Sequence, residues 1–163
     1  MRERCPSARF ITKGYLNDMA LCFHYYANII KAHDYNTPAV LWDIPENEVV
    51  ELDRFEGVDK HYIKEEYTLI PEPELNEEEM VALVGADNVH IAGNDWYSTS
   101  GIIGIAYIMT DWKKTESKDH DKPPRIDYVK HILTGYKEQE FDKNIQYLQD
   151  LLDALYRGED PPE

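Results

Sequence analysis

The residues best suited to chemistry in this chain surround a carboxylate at the end of a short helix. Residues 45–58 read PENEVVELDRFEGV, and a proline followed by glutamates in the first turn is typical of a helix start. Apolar residues at i, i+3 and i+6 form one stripe, and Gly57 is the expected left-handed C-cap. Glu56 is therefore predicted to be the last helical residue, at the negative end of the helix dipole.

A carboxyl at this end of a helix has a raised pKa, and burial would raise the pKa further. A glutamate with such a pKa can act as a general base near neutral pH. The alternative is an ordinary solvated glutamate before a cap glycine. Twelve tyrosines, each with an apolar ring and a polar tip, could supply a pocket around the carboxylate.

Other catalytic signatures are missing from the sequence. It contains no Gly-x-Gly-x-x-Gly, P-loop or Gly-x-Ser-x-Gly motif, and its six histidines show no close ligand pairing. We therefore expect neither a metal nor an organic cofactor. Of the two cysteines, Cys22 lies in an apolar run and is interpreted as a core residue rather than a nucleophile.

The charge of the chain limits its partners and location. A net charge of −15 argues against nucleic-acid binding and against an anionic membrane surface. No apolar run approaches the length of a membrane span, and the start, MRERCPSARF, lacks the apolar core of a signal peptide. These features favour a cytoplasmic protein.

The elements that must position Glu56 are predicted from local patterns. Residues 8–16 and 19–30 are rich in aromatic and β-branched residues, and Asn17-Asp18 between them predicts a hairpin turn. Residues 31–38 read as a polar loop. Three further strands are predicted, at 39–44, 61–70 and 102–109. The last strand is the most apolar and is predicted to be central in the sheet.

Helices are interspersed with these strands. Asn76 is the expected N-cap of a helix whose first turn carries three glutamates, and two more helical stretches are predicted at 125–134 and 138–156. Residues 113–124 read as a charged loop. The pattern predicts one α+β domain over residues 1–156, with a mostly antiparallel or mixed sheet, possible closure into a barrel, and a tail at 157–163.

Five segments in order resemble one family. They read RCPSARFITKGYLNDMALCF, YANI, PAVLWDIPENEVVELDRFEGVDKHY, AYIMTD and PPRIDYVKHILTG, and the resemblance as a whole runs from about Arg4 to Leu152. This order is similar to that of the γ-glutamylcyclotransferase family. The resemblance implies a small mixed β-barrel with surrounding helices. It also implies cleavage of a small-molecule γ-glutamyl substrate, without a cofactor, by attack of the substrate's own α-amine on its γ-carbonyl, which releases 5-oxoproline and an amine or amino acid.

The resemblance carries over to individual residues. Glu56 matches the family's acid/base glutamate, and Tyr128 matches a tyrosine that contacts substrate. Tyr62 follows the Glu-Gly pair at the family's spacing and could line the same pocket. At position 128 the structural alternative is a helix-face tyrosine that packs on the barrel. Asn28 could face the pocket or cap a strand, and we favour the structural role for Asn28.

One expected family feature is absent from these residues. The family's Tyr-Gly-Ser-Asn loop, which follows a strand and supplies backbone N–H groups to the substrate, does not occur in the 163 residues. Three explanations compete: a misassigned start; a diverged relative that fills the gap from 71–101, where GNDWYSTSG has small residues suited to an anion site; or strand exchange in a homodimer. The absence also motivates an alternative function, a catalytically inactive binding or regulatory protein on the same fold.

Overall fold

The computed structural model describes residues 3–93, 99–116, 118–119 and 121–159. These residues contain five strands and five α-helices. The strands are β1 (Arg9–His24), β2 (Tyr26–Asp43), β3 (Tyr62–Pro71), β4 (Val89–His90) and β5 (Gly101–Met109). The helices are α1 (Glu46–Glu56), α2 (Glu77–Val84), α3 (Asp111–Thr115), α4 (Ile126–Glu138) and α5 (Ile145–Arg157).

The first two strands form one long antiparallel hairpin, and its turn is not where the sequence predicted it. Pairing runs from Arg9 opposite Asp43 to His24 opposite Tyr26, so the chain turns at Tyr25. Asp18 does adopt a left-handed φ of 55°, but it produces a bulge within β1. The predicted turn at Asn17-Asp18 is therefore wrong. The predicted loop at 31–38 is corrected to part of β2, because Lys31 and residues 36–38 pair with β1. Residues 32–35 have no partner in this register and form a bulge, in which Asp34 has a left-handed φ of 67°.

The sheet is antiparallel and open, with strand order β2-β1-β3-β5-β4. Within the described residues β4 pairs with only two residues of β5, and β2 pairs on one side only. Closure into a barrel is thus corrected to an open five-stranded sheet, because edge strands β2 and β4 are not joined by a backbone ladder. The apolar strand predicted at 102–109 is an inner strand, because β5 pairs with β3 on one side and β4 on the other, although β3 holds the middle position of the five. The α+β class is confirmed.

Local helix signals agree better with the structure. Helix α1 ends at Glu56, and Gly57 follows with a left-handed φ of 63°. Asn76 and Glu79 form the reciprocal capping box that starts α2, with both hydrogen bonds at 2.9 Å. Helix α5 begins later than predicted, because a 3₁₀ turn at Asp142–Asn144 precedes it. No helix in the described ranges is long and apolar enough to cross a membrane.

Two clusters of buried side chains fix the elements around Glu56. Helices α4 and α5 pack together through Val129, Leu133, Leu148, Leu151 and Leu152, with Leu21 and Phe23 of β1 against them. A second cluster joins Leu52 of α1 to Cys5 and Ala8, next to Trp42 and Tyr107. Because residues four apart lie on one helix face, burying Leu52 also turns Glu56 inward. Cys22 is partly buried, and burial raises the pKa of its thiol.

Candidate active site

Glu56 lies in a mostly buried position at the C-terminal end of α1. Its side chain is 19% exposed, and its Oε1 accepts a hydrogen bond of 2.9 Å from Nη1 of Arg4. Burial raises the pKa of this carboxyl, and the Arg4 charge lowers it by a smaller amount. The net result is a carboxyl whose pKa lies above the ordinary glutamate value, as expected for a general base.

Arg4 is the main contact of this carboxylate that sequence reasoning missed. Its side chain is 53% exposed, and its guanidinium lies 3.9 Å from the ring centroid of Phe55. Arg4 falls inside the segment RCPSARF, but no local pattern links it to a residue 52 positions later. Only the folded chain brings this cation to the candidate base.

Tyr128 lies in the first turn of α4 and combines packing with a polar contact. Its ring meets those of Phe23 and Tyr26 edge-on, at centroid distances of 6.4 and 6.0 Å. Its Oη accepts a hydrogen bond of 3.3 Å from the backbone N–H of Ala27. Burial raises the pKa of Tyr128, and the nearby Glu56 carboxylate raises it further. Tyr128 thus packs on the sheet, and its pKa depends in part on the charge of Glu56.

Tyr62 begins β3 and belongs to the same group of interacting side chains. Its pKa is raised first by burial and then by the charge of Glu56, with smaller contributions from Tyr128 and Tyr26. The three residues predicted from sequence, Glu56, Tyr62 and Tyr128, therefore come together in the structure. Tyr26 is a further aromatic neighbour that the sequence did not indicate. Because their pKa values are raised, the phenols of Tyr62 and Tyr128 are protonated at neutral pH.

A cavity of about 990 Å³ opens beside this group. Glu56, Arg4 and Tyr128 line it, whereas Tyr62 does not. Apolar side chains from the sheet form much of the remaining wall: Ile11, Val40, Leu41, Trp42, Ile103 and Ile105. The volume is at the upper end of the range for small-molecule sites, so the cavity is large enough for a dipeptide-sized compound.

A second polar cluster fixes α1 against the sheet close to Glu56. Asp53 accepts a 2.6 Å hydrogen bond from Oη of Tyr107 and a 2.8 Å bond from Nζ of Lys64. Burial, Asp53 and Glu56 all raise the pKa of Tyr107. Since Asp53 precedes Glu56 by three residues, these contacts set the helix rotation that directs Glu56 into the cavity.

Two other sequence interpretations have different outcomes. Asn28 is buried, and its Oδ1 accepts a 3.0 Å hydrogen bond from the backbone N–H of Met109, which fits a structural role. The proposed anion loop at 93–101 falls largely on 94–98, outside the described residues. Across the described part of the chain, no three histidine, cysteine or acidic side chains are grouped as metal ligands would be.

Comparison with known proteins identifies the fold. No protein-family model and no curated protein match the chain. A solved structure described as γ-glutamyl cyclotransferase superimposes with a TM-score of 0.60 at 18% identity, over 99% of this chain and 80% of that one. An uncharacterized protein from Homo sapiens gives a TM-score of 0.60 at 20% identity, over the same shares of the two chains. The chain therefore adopts a γ-glutamyl cyclotransferase-like α+β fold.

Proposed function

We propose that this protein cleaves γ-glutamyl amino acids or amines by intramolecular cyclisation, with Glu56 as general acid and base. The observation that carries the proposal is a mostly buried carboxylate of raised pKa, lining a cavity in a fold similar to that of γ-glutamyl cyclotransferase. Such a reaction brings its nucleophile and its electrophile in one molecule, so the protein has to orient the substrate and move protons.

The proton movements can be assigned to Glu56. Its carboxylate accepts a proton from the substrate's α-ammonium, and the freed amine nitrogen attacks the γ-carbonyl carbon. The new C–N bond closes the five-membered ring while the carbonyl oxygen becomes an oxyanion. When the oxyanion collapses, the bond to the leaving nitrogen breaks and Glu56 returns the first proton to that nitrogen. The ring nitrogen, which the attack left positively charged, loses its second proton through Glu56 to the leaving amine, which departs as an ammonium ion. The products are 5-oxoproline and a free amine, and no water or other reactant is consumed.

The neighbouring phenols suit hydrogen-bond donation in this scheme. Tyr128 uses an oxygen lone pair to accept the Ala27 N–H, so its hydroxyl proton is directed elsewhere. Because the pKa values of Tyr128 and Tyr62 are raised, both hydroxyls keep their protons at the pH of the reaction. We assign both residues to binding or orienting the substrate, with Tyr128 closest to the cavity.

The test is release of 5-oxoproline from γ-L-glutamyl-L-alanine by the 163-residue protein. We expect Glu56→Gln to lower kcat/KM at least about 100-fold, because general acid–base catalysis typically contributes 10²–10⁴-fold. Glu51→Gln is the matched control, since Glu51 is an exposed glutamate on the same helix. Equal activity of the wild type and Glu56→Gln would disprove the proposal. A γ-glutamyl alkylamine assayed beside the dipeptide distinguishes the two classes of leaving group.

A binding or regulatory protein without turnover is the second candidate. It is favoured by the ion pair that Arg4 makes with Glu56 and by the absence of Tyr-Gly-Ser-Asn from these residues. This candidate predicts saturable binding of γ-L-glutamyl-L-alanine in calorimetry without any release of 5-oxoproline. Turnover that depends on Glu56 would exclude it.

A further inference from the structure

The ion pair between Arg4 and Glu56 has a property that the proposed reaction does not explain. It joins a half-exposed cation to a mostly buried anion at the wall of one cavity. Arg4 directs Nη1 at the carboxylate while the face of its guanidinium covers the ring of Phe55. A guanidinium carries five N–H donors in its plane, so one that stacks through its face and bonds through one nitrogen can still bind an anion along its edge.

A γ-glutamyl compound presents charges that complement this pair. Its α-ammonium and α-carboxylate are attached to the same carbon, so a receptor for both must place an anion and a cation side by side. Glu56 and Arg4 stand in that relation, with 2.9 Å between Oε1 and Nη1. Entry of the ligand would exchange one ion pair for two, and neither Arg4 nor the mostly buried Glu56 would be left without a partner.

We propose that Arg4 and Glu56 together bind the α-amino acid head group of the ligand, Arg4 taking its α-carboxylate, and that their direct ion pair is the closed state that the ligand opens. The identity of the ligand rests on the proposed function, whereas the exchange of partners does not require turnover. In the closed state the Glu56 carboxylate is paired with Arg4 until a ligand with both an ammonium and a carboxylate binds. A ligand with an amine alone would have to displace Arg4 without offering it a new partner.

The other cations along the cavity are less suited to this role. Arg9 pairs with Asp43 and is 76% exposed. Lys64 is held by Asp53, which Tyr107 also contacts. Among the described residues, Arg4 is the arginine or lysine whose ion pair includes Glu56. Arg9 is therefore a matched control, because it is a second paired arginine on the same cavity.

The experiment uses two probes that cannot cyclise. In 2-amino-4-sulfamoyl-L-butanoate a sulfonyl group replaces the γ-carbonyl, and 3-aminopropanesulfonamide is the same molecule without the α-carboxylate. Calorimetric Kd values are measured for the wild type, Arg4→Ala, Arg4→Lys and Arg9→Ala. We expect the wild type to prefer the carboxylate-bearing probe by about 10- to 100-fold, the typical effect of hydrogen bonds to charged groups.

Arg4→Ala should abolish this preference in a way that a loss of structure would not. Its affinity for 3-aminopropanesulfonamide should stay equal or rise, because Arg4 no longer competes for Glu56. Its affinity for the carboxylate-bearing probe should fall, by the full factor in the first case and by less in the second. Arg4→Lys should keep part of the preference, and Arg9→Ala should keep all of it. Equal weakening of both probes by Arg4→Ala, a preserved preference, or no binding of either probe to the wild type would overturn the inference.

These affinities, taken together with the assay of 5-oxoproline release, separate this inference from the proposed reaction. An Arg4-dependent preference in a protein that releases no 5-oxoproline would remove the cyclisation and keep the head-group site. If release of 5-oxoproline depends on Glu56 but the preference for the carboxylate-bearing probe is unchanged in Arg4→Ala, the cyclisation is supported and the head-group site is excluded.

Discussion

At the scale of single residues, the proposed chemistry depends on two opposing effects on the pKa of Glu56. Burial raises the pKa of Glu56, and Arg4 partly offsets that rise. In the proposed complex the ligand's α-ammonium takes the place of Arg4 beside Glu56, so the cation that pairs with the carboxylate is the group whose proton it accepts. Tyr62, Tyr107 and Tyr128 face the same charge, but their raised pKa values keep them neutral throughout the range in which Glu56 titrates.

A pH profile of 5-oxoproline release tests this description. The proposed reaction needs ionised Glu56, so kcat/KM should rise with pH through the pKa of this carboxyl in the free protein, at a midpoint above the ordinary glutamate value. In Arg4→Ala the acid limb should move to higher pH, because the charge that lowers the pKa of Glu56 is gone. An acid limb at or below the ordinary glutamate value, or a shift to lower pH in Arg4→Ala, would contradict this assignment.

At the scale of elements, helix α1 positions Glu56 at the wall of the cavity. Its end is set by Gly57, whose left-handed backbone lets the N–H groups of residues 57 and 58 return to carbonyls of Arg54 and Asp53. A Cβ at position 57 would lie 2.6 Å from Cδ2 of His61. The position therefore needs glycine both for its conformation and for the close approach of His61.

Gly57→Ala should lower the free energy of unfolding by more than the roughly 1–2 kcal/mol that a left-handed residue with a side chain costs. It should also reduce 5-oxoproline release, because Glu56 is the neighbouring residue. Gly158→Ala is the matched control: Gly158 has a similar φ of 68° at the end of α5, and a Cβ there meets nothing within 4 Å. Thermal unfolding of both variants measures the difference. Equal destabilisation would show that His61 does not restrict position 57.

At the scale of the whole molecule, an open sheet brings its edge strand β2 close to β5. The contact that links them near the site is the Asn28 side chain, which accepts the backbone N–H of Met109. The residue before Asn28 donates its N–H to Tyr128. One short stretch of β2 thus connects the sheet to α4 at the candidate site. A homodimer that exchanges strands to complete this sheet stays a prediction.

Asn28→Ala should lower the free energy of unfolding by about 1–3 kcal/mol, the cost of leaving a buried hydrogen-bonding group without its partner. The same change should weaken binding of γ-L-glutamyl-L-alanine, since β2 would no longer be held against β5 beside Tyr128. Asn36→Ala, at an exposed position of the same strand, is the control and should change neither quantity. Denaturant unfolding and calorimetry provide the two measurements, and a stable Asn28→Ala would show that Met109 finds another acceptor.

The parts of this structure that follow local rules were determined by the sequence itself. A cap glycine, an apolar stripe and acidic first turns act within a few residues, so the end of α1 at Glu56 and the N-cap of α2 at Asn76 were predicted correctly. The resemblance across five segments indicated Tyr62 and Tyr128, and the structure places both near Glu56. Helix α5 was predicted as an element but with a start that a 3₁₀ turn displaced.

Tertiary structure alone decided what depends on partners distant in the chain. The long β1–β2 hairpin overrode the turn signal at Asn17-Asp18, because backbone pairing with a neighbouring strand outweighs local preference. Strand order and the open edges of the sheet depend on which strands pair with each other, and the spacing of apolar residues in the sequence does not determine this pairing. The Arg4–Glu56 pair, 52 residues apart, and the cavity beside it exist only once the chain is folded, because charge and burial act through space and not along the sequence.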